Sequence, residues 1–214
     1  VDSRPLTGTD VTLYRSGTMR CCYLGPDRPE IQYGAKEYSR WMQSPIASHL
    51  EDLKRVVRFL KGHRRLVQTF VAQDPVYDMI CRVDSNHAAC PVTRKSTTCV
   101  HMMHGENCIK TASSTQAVLG LSTGESEFHG LVRACSMCSG GCLMASDIGE
   151  TLKAKVYGDS TAAKGIGSRS GIGKVRHVHL LLLWIQDFVR KKLIQLIKKK
   201  GTELTADLGT KHVT

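Results

Sequence analysis

The feature that most constrains the fold is a change of pattern after a Gln-Asp-Pro turn at positions 73–75. Three short apolar runs follow, separated by residues that favour turns. The runs occupy positions 76–83, 96–103 and 108–113, with Asn86, Pro91 and Gly105 among the residues between them. Short apolar runs bounded by turn formers are typical of β-strands. This stretch therefore predicts three consecutive antiparallel strands.

Helix and strand signals alternate in the rest of the chain. Ser122 and Glu125 have the spacing of a capping box, in which each side chain satisfies a free backbone N–H at the start of a helix. A helix is therefore predicted over 123–145. The further predicted elements are a strand at 153–157, a helix through Ala162 and Ile166, an apolar helix at 178–189, a strand at 193–198 and a terminal helix at 203–211. Elements in this order predict an α/β fold with a mixed sheet.

The residues before the turn predict a separate unit. We divide the chain into a mainly helical domain at 1–75 and an α/β domain at 76–214. Within the first domain, a helix with an apolar stripe carries Lys54 and Arg58 on another face. Such a basic face suits contact with a phosphate backbone, but a run of charge on a helix more often forms a solvated surface.

The charge of the chain points to a polyanionic partner. Lysine and arginine number 30 against 19 acids, which gives a net charge of +11 and a pI near 9.3. Ten of these basic residues and a single acid, Asp187, lie between Lys164 and Lys200. Nucleic acid is the first candidate for the partner, and an acidic membrane surface is the second.

The first residues and the apolar runs of the chain help to predict where in the cell the protein lies. The longest apolar run, at 180–185, is too short to span a membrane. The chain begins at Val1 with no initiator methionine and no export signal, so we expect a fragment or a processed product. We expect it to lie inside the cell, in the cytoplasm or the nucleus.

Cysteine usage agrees with a reducing environment, because nine cysteines are an odd number and do not form a regular disulfide framework. Cys135, Cys138 and Cys142 are spaced either for a zinc site or for one face of a helix. With no second Cys/His pair nearby, the spacing favours packing inside the protein. His101 and His104 form a similar pair, and the same choice applies to them.

Four acids fall at the boundaries of predicted elements. They are Asp84, Glu127, Asp159 and Asp207. Carboxylates that cluster repel one another unless a cation neutralises them, and hard oxygen ligands select Mg²⁺ or Mn²⁺. Two such ions would support hydrolysis of a phosphodiester. The alternative is that each acid caps a helix or faces solvent.

The segments around these acids resemble copia-type retrotransposon Pol polyproteins over nearly the whole chain. Segments 14–16, 28–31, 38–40 and 53–62 resemble the end of the reverse transcriptase region and its connection, without the polymerase aspartates. Segments 83–85 with 93–97, 113–116 with 121–128, 157–164 and 201–211 resemble the motifs that hold the four catalytic acids of the RNase H domain. The family's Glu-aromatic step matches Glu127-Phe128 and so selects Glu127 rather than Glu125.

This resemblance implies an RNase H-like fold, a five-stranded mixed sheet flanked by helices. It also implies hydrolysis of the RNA strand of RNA/DNA hybrids, with the rest of a Pol polyprotein as a further partner. Lys174, Arg176 and His177 resemble the family's Lys-His segment, so they are expected either to bind phosphates or to form a solvated loop.

The chain departs from the family at two motifs. The family's Asp-x-Asp-Trp-Ala reads Asp84-Ser-Asn86-His87-Ala88 here, and its His-x-acid reads His177-Val-His179. These changes leave the four acids in place, but they suggest a diverged copy of the family's sequence with weakened activity. Two alternatives to the enzyme therefore stand, a non-catalytic nucleic-acid-binding remnant and a recruited structural subunit. The subunit would dock through the apolar helix at 178–189 or the cysteine-rich face.

Overall fold

The structure is a computed structural model that describes residues 2–173 and 180–210. For Leu180, Leu181, Thr202, Asp207 and Leu208 it describes the backbone alone. The described chain forms two compact units, one reaching to Thr69 and the other beginning at Phe70.

The first unit consists of three helices. They are α1 (Thr9–Leu24), α2 (Gln32–Ser39) and α3 (Ala47–Gly62), with a 3₁₀ turn at Pro29–Ile31 before α2. Their core is made by Tyr14, Cys21, Ile31, Ala35, Leu50 and Leu53. The Tyr14 hydroxyl donates a hydrogen bond of 2.8 Å to the Tyr38 carbonyl, which satisfies the one polar atom of a fully buried ring.

The second unit is built on a five-stranded sheet. Its strands are β1 (Asp78–Ser85), β2 (Thr97–His104), β3 (Asn107–Thr115), β4 (Lys153–Gly158) and β5 (Ile194–Lys198). Their order is β3-β2-β1-β4-β5, in which β1, β2 and β3 pair antiparallel, while β4 pairs parallel with both β1 and β5. The sheet is mixed, as the pattern of the sequence predicts.

Three helices flank this sheet. They are α4 (Thr123–Asp147), α5 (Thr161–Ser168) and α6 (Trp184–Arg190). The Ser122 hydroxyl accepts a hydrogen bond of 3.2 Å from the Glu125 amide, and so caps α4 at the predicted position. The Glu125 carboxylate in turn accepts a bond of 2.8 Å from the Leu121 amide, which fixes the loop that enters the helix.

A close approach of α4 to β1 depends on Gly130. A Cβ atom at this position would lie 2.2 Å from the Ser85 hydroxyl and 3.3 Å from the Thr98 side chain. Only a residue without a side chain permits this contact. Because Ser85 follows Asp84 in β1 and Gly130 lies one turn after Glu127 in α4, the contact brings these two acids towards each other.

Two predicted helices are wrong in part. The apolar stretch forms a 3₁₀ turn at Leu180–Leu183 and then α6, and positions 178 and 179 lie outside the described residues. The terminal stretch forms two 3₁₀ turns, Gly201–Glu203 and Thr205–Gly209, rather than an α-helix. Tertiary hydrogen bonds hold this last segment, including one of 2.7 Å from the Ser113 hydroxyl to the Gly209 carbonyl. They override the weak helical tendency of a short stretch.

The cysteine-rich face packs inside the second unit. Cys135 and Cys138 are fully buried, and burial raises the pKa of the Cys135 thiol, so it is not poised to bind a metal as thiolate. The predicted packing is thus confirmed for Cys135 and Cys138, while a docking role for this part of the chain stays a prediction. The apolar side of α6 likewise packs on the core, with Ile185 fully buried.

The two histidines of the weak metal pair point to separate partners. The His101 ring bonds the Thr205 hydroxyl at 3.0 Å, and the His104 ring bonds the Val76 carbonyl at 3.0 Å. Within the described part of the chain, no helix combines the length and the apolarity needed to cross a bilayer.

Candidate active site

The topology of the sheet brings Asp84 and Asp159 to one edge. Asp84 lies near the end of β1, and Asp159 directly follows β4. Because the two strands are parallel and Arg82 is level with Tyr157, the positions two residues further on are also level. The carboxyl ends of parallel strands form a common edge where sites are usually found.

Glu127 completes a group of three carboxylates. It lies one turn into α4, and the packing of that helix on β1 points its side chain to the same edge. One oxygen from each of Asp84, Glu127 and Asp159 lies within 4.8 Å of the others. Glu125, the competing glutamate in the sequence, instead binds the loop at Leu121.

Burial and repulsion make Glu127 hard to ionise. Its side chain is 8% exposed, and the loss of solvent, together with the charges of Asp84 and Asp159, raises the pKa of Glu127 to about 8. A hydrogen bond from the Ser85 backbone acts in the opposite direction. Without a cation, the group therefore holds a proton at neutral pH, as expected for acids that need a positive partner.

The three side chains suit a hard divalent cation. Every donor is a carboxylate oxygen, the ligand type that Mg²⁺ and Mn²⁺ prefer. Two oxygens on one Mg²⁺ ion are separated by at most about 4.2 Å, and the three oxygens, which lie within 4.8 Å of one another, are close to this limit. The residues present therefore fit a bound metal.

The fourth predicted acid is placed only by its backbone. Asp207 lies in the turn Thr205–Gly209, which packs against β1 and β2, but its side chain is outside the described atoms. Its membership of the site stays a prediction. Among the described side chains of this segment, that of Thr210 reaches the site, and its hydroxyl donates a hydrogen bond of 2.8 Å to the Asp84 carboxylate.

The predicted nucleic-acid contacts fall in two places. Lys174, Arg176 and His177 lie outside the described residues, and their role stays a prediction. Lys54 and Arg58 are exposed on α3 in the first unit. Lys54 forms an ion pair of 2.6 Å with Glu51, and Arg58 donates to the Lys54 carbonyl at 3.3 Å. Contact of Lys54 and Arg58 with a phosphate backbone therefore also stays a prediction.

A second basic group lies beside the acids. We call Lys198, Lys199 and Lys200 the lysine rim: Lys198 is the last residue of β5, next to the end of β4, and the other two follow it in the chain. The Lys199 amide donates to the Gly158 carbonyl at 2.9 Å, and a Cβ on Gly201 would lie 3.3 Å from the Asp159 carboxylate. The Lys198 ammonium bonds the Thr161 hydroxyl at 2.6 Å. The charge density of the sequence signalled these lysines, but their position next to Asp159 required the sheet.

The residues that depart from the family motif make specific contacts. The Asn86 side chain donates to the Thr210 carbonyl at 2.7 Å and accepts from the Thr97 amide at 2.7 Å. The His87 ring bonds the hydroxyl of Ser126, the neighbour of Glu127, at 3.0 Å. Both residues therefore support the segments that carry the acids, a role that the sequence comparison alone did not reveal.

Comparison with known proteins agrees with the resemblance. The chain matches no protein-family model. It is 26% identical over 188 residues to a retrovirus-related Pol polyprotein from transposon TNT 1-94 of Nicotiana tabacum, covering 87% of this chain and 14% of the relative. It is 23% identical over 209 residues to the Pol polyprotein from transposon RE1 of Arabidopsis thaliana, covering 96% of this chain and 14% of the relative. The chain thus spans about a seventh of the length of these relatives.

Two RNase H domains are among the solved structures to which part of this chain is similar. One is an RNase H1 isolated from compost by a metagenomic approach, with a TM-score of 0.43, 14% identity and coverage of 63% of this chain and 93% of that chain. The other is the N-terminal RNase H domain of a Mycobacterium tuberculosis protein, with a TM-score of 0.42, 18% identity and coverage of 61% and 88%.

Two predictions are confirmed at this point. The relatives are Pol polyproteins of plant transposons, as the sequence motifs predict. The second unit has the predicted α/β architecture, a five-stranded mixed sheet flanked by helices.

Proposed function

We propose that this chain is the RNase H part of a retrotransposon Pol polyprotein and hydrolyses the RNA strand of RNA/DNA hybrids. The observation that carries the proposal is the convergence of Asp84, Glu127 and Asp159 at one edge of the sheet. These acids are 43 and 32 positions apart in the sequence, from 84 to 127 and from 127 to 159. Three buried or half-buried carboxylates destabilise a fold unless they bind a cation, so their convergence favours a functional role.

The carboxylates would hold Mg²⁺ or Mn²⁺, and we propose two ions with Asp207 as a further ligand. When bound, such ions supply an activated water and stabilise the leaving oxygen of a phosphodiester. The protein's own contribution is to hold three oxygens at a fixed edge and to release the proton of Glu127 when a cation enters. The lysine rim would hold a backbone phosphate beside Asp159.

Preference for a hybrid follows from the resemblance to Pol polyproteins. Selection of the RNA strand would rest on its 2′-hydroxyl groups and on the shape of the hybrid, rather than on the bases. We therefore expect no strong sequence preference.

A cleavage assay tests the proposed function. The substrates are an RNA/DNA hybrid labelled on the RNA strand, the same RNA as a single strand, and a DNA duplex of the same sequence. We expect Mg²⁺-dependent cutting of the RNA in the hybrid and no cutting after EDTA is added. Cutting of all three substrates at equal rates, or cutting that persists in EDTA, would contradict the proposal.

The lysine rim gives a second prediction, on binding. Changing Lys198→Gln with Lys200→Gln should lower the dependence of hybrid affinity on salt, by up to about 0.9 in log–log slope for each lost phosphate contact. The matched control is Lys191→Gln with Lys192→Gln, which removes the same charge from the loop between α6 and β5. Fluorescence anisotropy in EDTA, at several salt concentrations, measures both. Equal effects of the two double variants would show that charge alone, and not the rim, determines binding.

One observation favours a second candidate function. The basic charge and the altered motifs are compatible with a domain that binds nucleic acid without cutting it. This candidate predicts the same salt-sensitive binding as the enzyme but no metal-dependent products in the cleavage assay.

A further inference from the structure

The contacts of Asn86 point to a role for the residue that replaces the family's second acid. Its side chain uses both of its polar atoms: the amide nitrogen donates to the Thr210 carbonyl at 2.7 Å, and the oxygen accepts from the Thr97 amide at 2.7 Å. One side chain thus joins the end of β1, the start of β2 and the C-terminal segment. A carboxylate could accept from Thr97 but has no proton to donate to Thr210.

Thr210 links this junction to the acids. Its side chain is 1% exposed, and its hydroxyl donates to the Asp84 carboxylate at 2.8 Å. The same residue therefore receives a hydrogen bond from Asn86 through its carbonyl and gives one to Asp84 through its hydroxyl. The orientation of Asp84 depends on the docking of this segment, and Asn86 holds the segment in place.

Further contacts show that the segment is docked rather than merely adjacent. The Ser113 hydroxyl donates to the Gly209 carbonyl at 2.7 Å, and the His101 ring bonds the Thr205 hydroxyl at 3.0 Å. Ala206 is fully buried, and a Cβ at Gly209 would lie 2.3 Å from the Cys99 sulfur. Any shift of the segment would be transmitted to Thr210.

We propose that Asn86 and Thr210 form a clamp that positions Asp84 for cation binding, so that asparagine is required at position 86 in this chain. The clamp consists of the Asn86–Thr210 and Thr210–Asp84 hydrogen bonds. Partners that orient a metal ligand typically change metal affinity by about 10-fold to 100-fold when they are lost. The clamp rests on the proposed metal site. It implies that the altered motif supports the site and is not a sign of weakened activity.

The family has an acid where this chain has Asn86, whereas the clamp predicts that an acid at this position weakens Mn²⁺ binding. Asn86→Asp restores the family's second acid, yet it places two acceptors face to face at the Thr210 carbonyl. We expect Mn²⁺ affinity to fall by about tenfold or more. If the carboxylate served instead as an added ligand, affinity would rise.

The matched control is Asn107→Asp. Asn107 also uses both amide atoms, accepting from the Val71 amide at 2.8 Å and donating to the Val71 carbonyl at 3.0 Å. It lies opposite His104 at the far end of the β2–β3 hairpin, whereas Asp84 is level with Cys99. The change has the same chemistry without touching the clamp, so Mn²⁺ affinity should stay within about twofold of wild type.

A second pair of variants tests the clamp from its other side. Thr210→Val keeps the shape of the side chain and removes the hydroxyl, and should weaken Mn²⁺ binding by about tenfold. Thr210→Ser keeps the hydroxyl and should bind as wild type does. If Thr210 only filled space in the fold, the Mn²⁺ affinities of the two variants would not depend on whether the hydroxyl is present.

Titration calorimetry with MnCl₂ on the whole chain measures all five proteins, and circular dichroism verifies that each is folded. If Asn86→Asp fails to fold, the two Thr210 variants carry the test. Tight binding by Asn86→Asp, or equal binding by Thr210→Val and Thr210→Ser, would overturn the clamp. A wild-type protein that binds no Mn²⁺ would instead overturn the proposed metal site itself.

Discussion

Asp159→Asn is expected to lower Mg²⁺-dependent cleavage of an RNA/DNA hybrid by on the order of a thousandfold, equivalent to about 4 kcal/mol of transition-state stabilisation. Asp159 supplies one of three oxygens that lie within 4.8 Å of one another. An amide in its place keeps the size of the side chain but loses the charge that attracts the cation. The rest of the site stays in place, so the loss should appear in the rate rather than in hybrid binding.

Single-turnover cleavage kinetics at saturating enzyme measure this effect. The control is Asp147→Asn, which makes the same change in the last residue of α4 and should leave the rate unchanged. Fluorescence anisotropy should give similar hybrid affinities for wild type and both variants in EDTA. Cleavage by Asp159→Asn at a rate within a few-fold of wild type would exclude the proposed catalytic role.

In the absence of divalent cations, the free energy of unfolding is expected to decrease as pH rises from about 5 to about 8 because of Glu127. The folded protein raises the pKa of Glu127 to about 8 from an ordinary value of 4.5. Between these values the folded state keeps a proton that the unfolded chain has released. Stability contributed by this proton is present at low pH and is lost as pH rises towards the folded-state pKa. The loss is on the order of 3 to 5 kcal/mol, at about 1.4 kcal/mol for each pKa unit.

Urea unfolding in EDTA at a series of pH values measures this loss, with Glu127→Gln as the comparison. The glutamine variant cannot ionise at this position, so its stability should stay level over the same range, apart from other groups that both proteins share. Mg²⁺ should restore the stability of wild type most strongly near pH 8, because cation binding favours the ionised form. Parallel curves for wild type and Glu127→Gln would show that Glu127 is not the group responsible.

Local signals predicted most of the second unit. The Ser122 cap places the start of α4, and the turn-forming residues between apolar runs separate β1, β2 and β3. These features depend on residues that are neighbours in sequence, so they can be predicted without a structure. The last segment was predicted as an α-helix and forms 3₁₀ turns instead, because the Ser113, His101 and Asn86 contacts that hold it come from outside the segment.

The sequence predicted which acids belong to the candidate site, but not how the fold brings them together. Family resemblance pointed to Asp84, Glu127 and Asp159, and the structure brings these three together. Their convergence depends on the parallel pairing of β1 with β4 and on the contact at Gly130, neither of which a residue pattern specifies. Thr210 lies in the segment 201–211 that resembles a family motif, but no residue pattern specifies its hydrogen bond to Asp84, which lies in a distant strand.

The structure also changes the meaning of the altered motif. At the sequence level, Asn86 and His87 suggested weakened activity. In the structure, Asn86 bridges to Thr210, and His87 bonds Ser126 beside Glu127. Substitutions away from a family pattern can thus support the same site through different contacts, which is why their effect must be measured against the residues they touch.

The most direct test of the account is the location of bound Mn²⁺ by anomalous scattering from crystals of the chain. We predict a peak at ligand distance from oxygens of Asp84, Glu127 and Asp159, which disappears in crystals of Asp159→Asn. Well-ordered carboxylates without such a peak at saturating Mn²⁺, or a peak bound only by other residues, would contradict it.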